Sequence, residues 1–157
     1  MPNLPRPRRR ASRLRRGTVE AKVISTERVE IGNERDVVIA RKLGRDIAGE
    51  LGFDAVDSAK IATAISELAR NIVLYAGSGE IEISVAEAED TTGGVIVVAR
   101  DNGPGIADQE LVMRDGYTTS NGLGLGLPGT RRLMDEFELS TTPGAGTAIT
   151  VCKWGDR

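Results

Sequence analysis

Two glycine clusters lie within about thirty residues of one another: "DNGPG" from Asp101 to Gly105 and "NGLGLGLPG" from Asn121 to Gly129. Glycine in such density costs folding entropy, so each cluster needs either a backbone reason or a ligand. The first closes an apolar, β-branched run, "GGVIVVARD", and so sits at the end of a strand. The second leads into "LPGTRRLMDEF", which reads as a helix of about ten residues. A glycine loop that opens a helix can aim several backbone N–H groups at a phosphate, aided by the helix dipole. It is not a Walker A loop, because no Gly-Lys-Ser/Thr follows. It also lacks the third glycine and the leading strand of the dinucleotide fingerprint.

The elements around these clusters follow from hydrophobic period. Val19 to Ile31 alternates and is rich in β-branched residues, which predicts a strand or hairpin. Val37, Ala40, Leu43, Ile47 and Leu51 recur at helical spacing behind a possible Asn33 cap, and Gly52 stops that helix. A second helix runs from about Asp54 or Asp57 to Ala76, with Gly77 as its stop. "GEIEISVAEA" and "GGVIVVARD" are two strands joined by a polar turn, and "ELSTTPGAGTAITVCKW" is a closing hairpin turning at Pro143 to Gly146. The order β, α, α, β, β, loops, α, β, β predicts an α+β two-layer sandwich: a mixed, mainly antiparallel sheet with helices on one face. The other face is expected to be partly open to solvent or a partner.

Composition narrows the chemistry. The 157 residues contain no histidine and one cysteine, Cys152. The first absence removes histidine bases, the Ser-His-Asp triad and the usual zinc sites, leaving proton transfer to Asp, Glu, Lys, Tyr or Cys. A lone cysteine in an alternating segment reads as a small hydrophobe in a reducing, cytoplasmic setting. No apolar run spans a membrane or forms a secretory core. Of 21 basic residues, seven are arginines in the first 16 positions, while the whole chain has 23 acids. The chain is thus an acidic domain, 18–157, behind a basic, proline-rich tail, 1–17, expected to be disordered. Such a tail could touch nucleic acid or an acidic partner; a solvated arm is the plainer reading, and nucleic acid is not expected as a partner.

Glu67 and Asn71 stand four apart and so share one face of the second helix. A carboxylate can act as base there, and a carboxamide oxygen suits Mg²⁺. The plainer alternative is an ion pair between Glu67 and Arg70 on an ordinary helix face. Asp101, at a strand end, can accept from an exocyclic amino group, while Gly103 and Gly105 let a flat base approach; here the plainer alternative is a turn.

Taken together and in order, "ELARN", "DNGPG", "GLGLG" and the "GT" of "AGTAI" resemble the GHKL (Bergerat) ATP-binding fold across residues 19–154. "ISELARNIVLYAG" with "GLGLGLPGTRRLMDEFEL" is similar, more narrowly, to the RsbT-type serine/threonine kinases of bacterial partner-switching and stressosome systems. The resemblance implies ATP and Mg²⁺ as ligands. It implies Glu67 as general base, Asn71 as Mg²⁺ ligand and Asp101 as acceptor from the adenine amino group. Gly103 and Gly105 then flank the base pocket, Gly122, Gly124 and Gly126 form the phosphate loop, and Thr147 helps bind adenine. Ile106 to Asn121 would be a short ATP lid. The implied substrates are STAS-domain proteins, with a downstream effector such as a phosphatase activated on release. An anti-sigma factor of the SpoIIAB or RsbW type, or a non-catalytic ATP-dependent binding module, are the alternatives.

Overall fold

A computed structural model describes residues 13–16, 19–89, 91–107, 112–114 and 126–155, with side chains from residue 21 onward. Strands β1 (Arg13–Arg16) and β2 (Val19–Ile31) are followed by helices α1 (Glu34–Glu50) and α2 (Ala55–Asn71). A π-helical turn, Ile72–Ala76, extends α2. Then come β3 (Gly79–Glu87), β4 (Gly94–Asp101), helix α3 (Gly126–Leu133), β5 (Glu136–Thr142) and β6 (Gly146–Trp154).

The sheet order is β1-β2-β3-β4-β6-β5. Every described pairing is antiparallel, which corrects the expectation of a mixed sheet. The reason lies between β2 and β3. The helical pair α1–α2 is a hairpin that returns the chain to the end of the sheet it left, so the next strand runs back beside β2. Val19–Ile31 is one strand of 13 residues rather than a hairpin, with a register shift between Val23 and Ser25. The expected tail is shortened at its C-terminal end, because Arg13–Arg16 pair with Val19–Lys22. Pairing uses backbone groups, so a segment too polar to build a core can still add a strand.

Local chemistry sets the helix ends. Asn33 caps α1 by accepting from Asp36 N–H at 3.1 Å, and Asp54 caps α2 by accepting from Asp57 N–H at 2.7 Å. Asp54 rather than Asp57 is therefore the cap of the second helix. Helix α3 closes after eight residues, two short of expectation. Strand β5 takes over at Glu136, where Phe137 and Leu139 alternate onto the core.

The main core lies between the helices and one sheet face: Ile61, Ile65 and Leu68 of α2 pack over Ile81, Ile83, Val95 and Val97. Gly44 lets α1 close onto α2, since a Cβ there would overlap Ile65. The opposite sheet face carries the alternate residues. Ile96, Val98, Cys152 and Trp154 form a small apolar cluster with Ala21 and Ala86. Beside it, Glu82 takes ion pairs from Arg28 at 3.0 Å and Arg100 at 3.3 Å. Among the described residues no helix is long and apolar enough to cross a membrane.

Candidate active site

α2 is buried almost all round because it lies between α1, α3 and the sheet. This central position explains the burial of a carboxylate. Glu67 is only 7% exposed, and burial of a charge is costly unless the charge is paired. Arg70, one turn on, supplies the pair: its Nη1 lies 3.2 Å from Glu67 Oε1. Its Nη2 reaches 3.3 Å to Glu34 Oε1 at the start of α1. The plainer reading of Glu67 is thus also realised, and it does not remove the carboxylate from the site. It ties Glu67 and α1 together through one guanidinium.

Asn71 is the last residue of α2 and is half-buried. Its carboxamide makes no hydrogen bond among the described residues. The π-helical turn begins immediately after it, and Gly77, at φ 83°, ends that turn by donating to Ile72 C=O at 2.9 Å. Single π turns of this kind recur at functional sites because they re-aim a helix end. Among the described residues no three His, Cys, Asp or Glu side chains form a metal cluster. A single neutral oxygen fits an ion that takes most of its ligands from phosphates and water, as Mg²⁺ does.

The strand side of the site converges on Asp101. Its Oδ1 accepts from Gly103 N–H at 2.9 Å, which fixes the carboxylate at the strand end. Asp101 is paired in register with Thr147 on β6, and Thr147 with Thr141 on β5. The hydroxyls of Thr141 and Thr147 lie 3.0 Å apart. Thr141 Oγ1 accepts from Ile106 N–H at 2.9 Å and donates to Gly146 C=O at 3.1 Å. Thr141 thus fastens the start of the expected lid to the strand ends. Its only mark in the sequence is a polar residue on the inward face of an alternating strand.

The glycines of the first cluster have reasons within the protein. A Cβ on Gly103 would lie 2.7 Å from Ala76 Cβ, at the end of the π turn. Gly105 has φ 74°, and a Cβ there would overlap the Thr142 carbonyl oxygen. Pro104 C=O also accepts from Gly144 N–H at 2.6 Å. The close approach that these glycines permit is therefore to the π turn and to the β5–β6 turn, which holds "DNGPG" against both. Of the second cluster, Gly126 opens α3 at φ 66°, and its C=O accepts from the buried Thr130 hydroxyl at 3.0 Å. Gly122, Gly124 and most of the expected lid lie outside the described residues.

Cys152 is buried on the other face of the sheet, far in the register from Asp101, and has no place in this site. Burial, with Glu136 beside it, pushes its thiol up to about 12. It stays protonated and unreactive at neutral pH.

Residues 56–155 match the model of the histidine kinase-, DNA gyrase B-, and HSP90-like ATPases, a span that holds every candidate residue named above. The serine/threonine-protein kinase RsbT of Bacillus subtilis is 56% identical over 126 residues, covering 80% of this chain and 94% of its own length. An anti-sigma F factor of Caldanaerobacter subterraneus is 31% identical over 121 residues, covering 75% of this chain and 85% of its own. Among solved structures, the RsbU and RsbW domains of a Mycobacterium tuberculosis protein share the fold with a TM-score of 0.58 at 21% identity. That match covers 83% of this chain and 32% of the other. The mycobacterial sensor histidine kinase MprB aligns with a TM-score of 0.50 at 18% identity, covering 84% of this chain and 99% of the other.

Proposed function

The chain belongs to the histidine kinase-, DNA gyrase B- and HSP90-like ATPases, within them to the RsbT-type serine/threonine protein kinases, and we propose that it phosphorylates a STAS-domain protein in a partner-switching system of the bacterial cytoplasm. The observation that carries this reading is Glu67. It is a buried carboxylate one helical turn before Asn71, in a chain 56% identical to a protein kinase.

In the proposed reaction Asp101 accepts from the adenine amino group, beside Gly103, Gly105 and Thr147. Backbone N–H groups of Gly122, Gly124 and Gly126 hold the phosphates at the start of α3. Asn71 would hold Mg²⁺, which when bound would supply positive charge against the transferring phosphoryl group. Glu67 takes the proton of the partner's serine or threonine hydroxyl as its oxygen bonds to the γ-phosphorus. The bond to the β–γ bridging oxygen breaks, and ADP leaves with that electron pair. Positioning and charge stabilisation are most of what such a transfer asks of a protein. The phosphorylated partner then releases the kinase to bind and activate a second protein, such as a phosphatase.

The test is phosphate transfer from labelled ATP to a STAS-domain protein, with a binding titration on the same preparation. Glu67→Ala is expected to lower transfer by about 100- to 10,000-fold while keeping ATP and partner affinity. Wild-type transfer by that variant removes Glu67 from the chemistry. The anti-sigma F relative supports a second reading, sequestration of a sigma factor. Tight ATP-dependent binding of a sigma factor with no transfer to any STAS-domain protein would establish it.

A further inference from the structure

α1 turns Val37, Ala40, Gly44 and Ile47 inward, yet Val38 and Ile39 stand 44% and 47% exposed on its outer side. Two adjacent β-branched side chains gain nothing on a solvated helix face. They lower helix propensity and leave apolar area in water. Of the four positions that neighbour Val38 on its helix face, Arg35, Arg41 and Lys42 are basic and exposed. The fourth, Glu34, is engaged by Arg70. Arg45 extends the basic row by another turn. None of these four cations has an ion pair or hydrogen bond among the described residues. Arg28, Arg70, Arg100 and Lys153 are all paired with acids.

We propose that this face of α1 docks the protein substrate of the kinase, through a partner surface in which an apolar contact is ringed by Asp and Glu. An apolar centre with a charged rim is the anatomy of a protein interface. Nucleic acid would meet the cations with phosphate but would leave Val38 and Ile39 uncovered. A second copy, set across a two-fold axis, would place like charges against like. The location ties the face to the chemistry. α1 begins at Glu34, and Arg70 links Glu34 to Glu67 through contacts of 3.3 and 3.2 Å. A partner seated on this face lies beside the helix end that carries the proposed base. The identity of the docked protein rests on the proposed function; the face itself rests on exposure and charge.

The experiment compares the full-length wild type with two variants, Val38→Ser/Ile39→Ser and Arg35→Glu/Arg41→Glu/Lys42→Glu, using a STAS-domain protein as probe. Each variant is expected to raise KM, or Kd by titration, about tenfold or more, with kcat and ATP affinity unchanged. The wild-type KM should also rise with added salt, and the charge-reversed variant should lose that dependence. Unchanged KM and Kd in both variants overturn the docking face. So does a wild-type dimer that the serine variant dissociates, or duplex DNA binding that the charge reversal abolishes while STAS binding persists. Wild-type binding without transfer overturns the kinase reading alone, because Kd still tests the face. Absence of wild-type binding overturns both.

Discussion

Glu67 and Asn71 stand four residues apart on one helix, whereas Asp101, Thr141 and Thr147 come from three strands and meet only in the sheet. The helix side is held by charge: Arg70 bridges Glu67 and Glu34, and Asn71 leads directly into a π turn. The strand side is held by hydrogen bonds among hydroxyls, backbone and the Asp101 carboxylate, with glycines that let two turns close on each other. The difference teaches a division of labour. The side that carries the proposed general base and metal ligand is a single helix with charged support. The side proposed to recognise adenine is a junction of strand ends whose shape depends on several chain segments at once.

Substitutions on each side can break that comparison. The largest effect is expected on the helix side. Asn71→Ala should lower phosphate transfer by at least about a hundredfold, because a bound metal contributes several kcal/mol to the transition state. It should also abolish most of the Mg²⁺-dependent gain in ATP affinity, read by calorimetry with and without the ion. A variant whose affinity still responds to Mg²⁺ as wild type does would move the metal to other residues.

Asp101→Asn should act on binding instead. It places an amide donor toward the adenine amino group, a mismatch of about 1–3 kcal/mol, or at least a tenfold weaker Kd for ATP. A folded variant with wild-type affinity would remove adenine recognition from the strand side. Thr141→Val keeps the side-chain shape and deletes the hydroxyl that joins Ile106, Gly146 and Thr147. The expected cost is about 1 kcal/mol of folding stability, with ATP affinity falling only as far as the strand ends loosen. A loss confined to stability would show that Thr141 supports the fold and not the ligand.

The smallest effect lies away from both sides. Cys152 has an ordinary value of 9.0, raised to about 12 in the folded chain by burial and by Glu136. Between those values the unfolded chain loses the thiol proton while the native one keeps it. The native state then binds more protons, so stability falls as pH rises. Wild type should lose melting temperature more steeply than Cys152→Ala above pH 9.0. Parallel slopes would mean that the thiolate is tolerated in the folded sheet.

The helices and most strands were legible because each is specified by residues near one another in sequence. Asn33 and Asp54 are caps by residue type and position, Gly52 and Gly77 are stops at positive φ, and β4 is plain in the continuous β-branched apolar run "VIVVA". The Glu67–Asn71 pair was legible for the same reason, since a spacing of four needs only a helix. β1 was not legible, because strand pairing through the backbone leaves little trace in side-chain pattern. Nor was the all-antiparallel sheet, which depends on where the α1–α2 hairpin returns the chain. That Gly103 and Gly105 also make room for Ala76 and Thr142 leaves no sign in the sequence, because those contacts depend on how the turns pack.

The sequence by itself determined the periodic elements, their caps, the split of charge between a basic start and an acidic remainder, and that any proton transfer must use a group other than histidine. Each of these follows from composition or from spacings of a few residues. Tertiary structure alone decided that Arg70 would couple Glu67 to Glu34, 36 residues away, and that Thr141 would fasten Ile106, 35 residues away, to the ends of β5 and β6. Contacts of that separation exist only once helix packing and strand register are set, and a one-residue slip in either would abolish them.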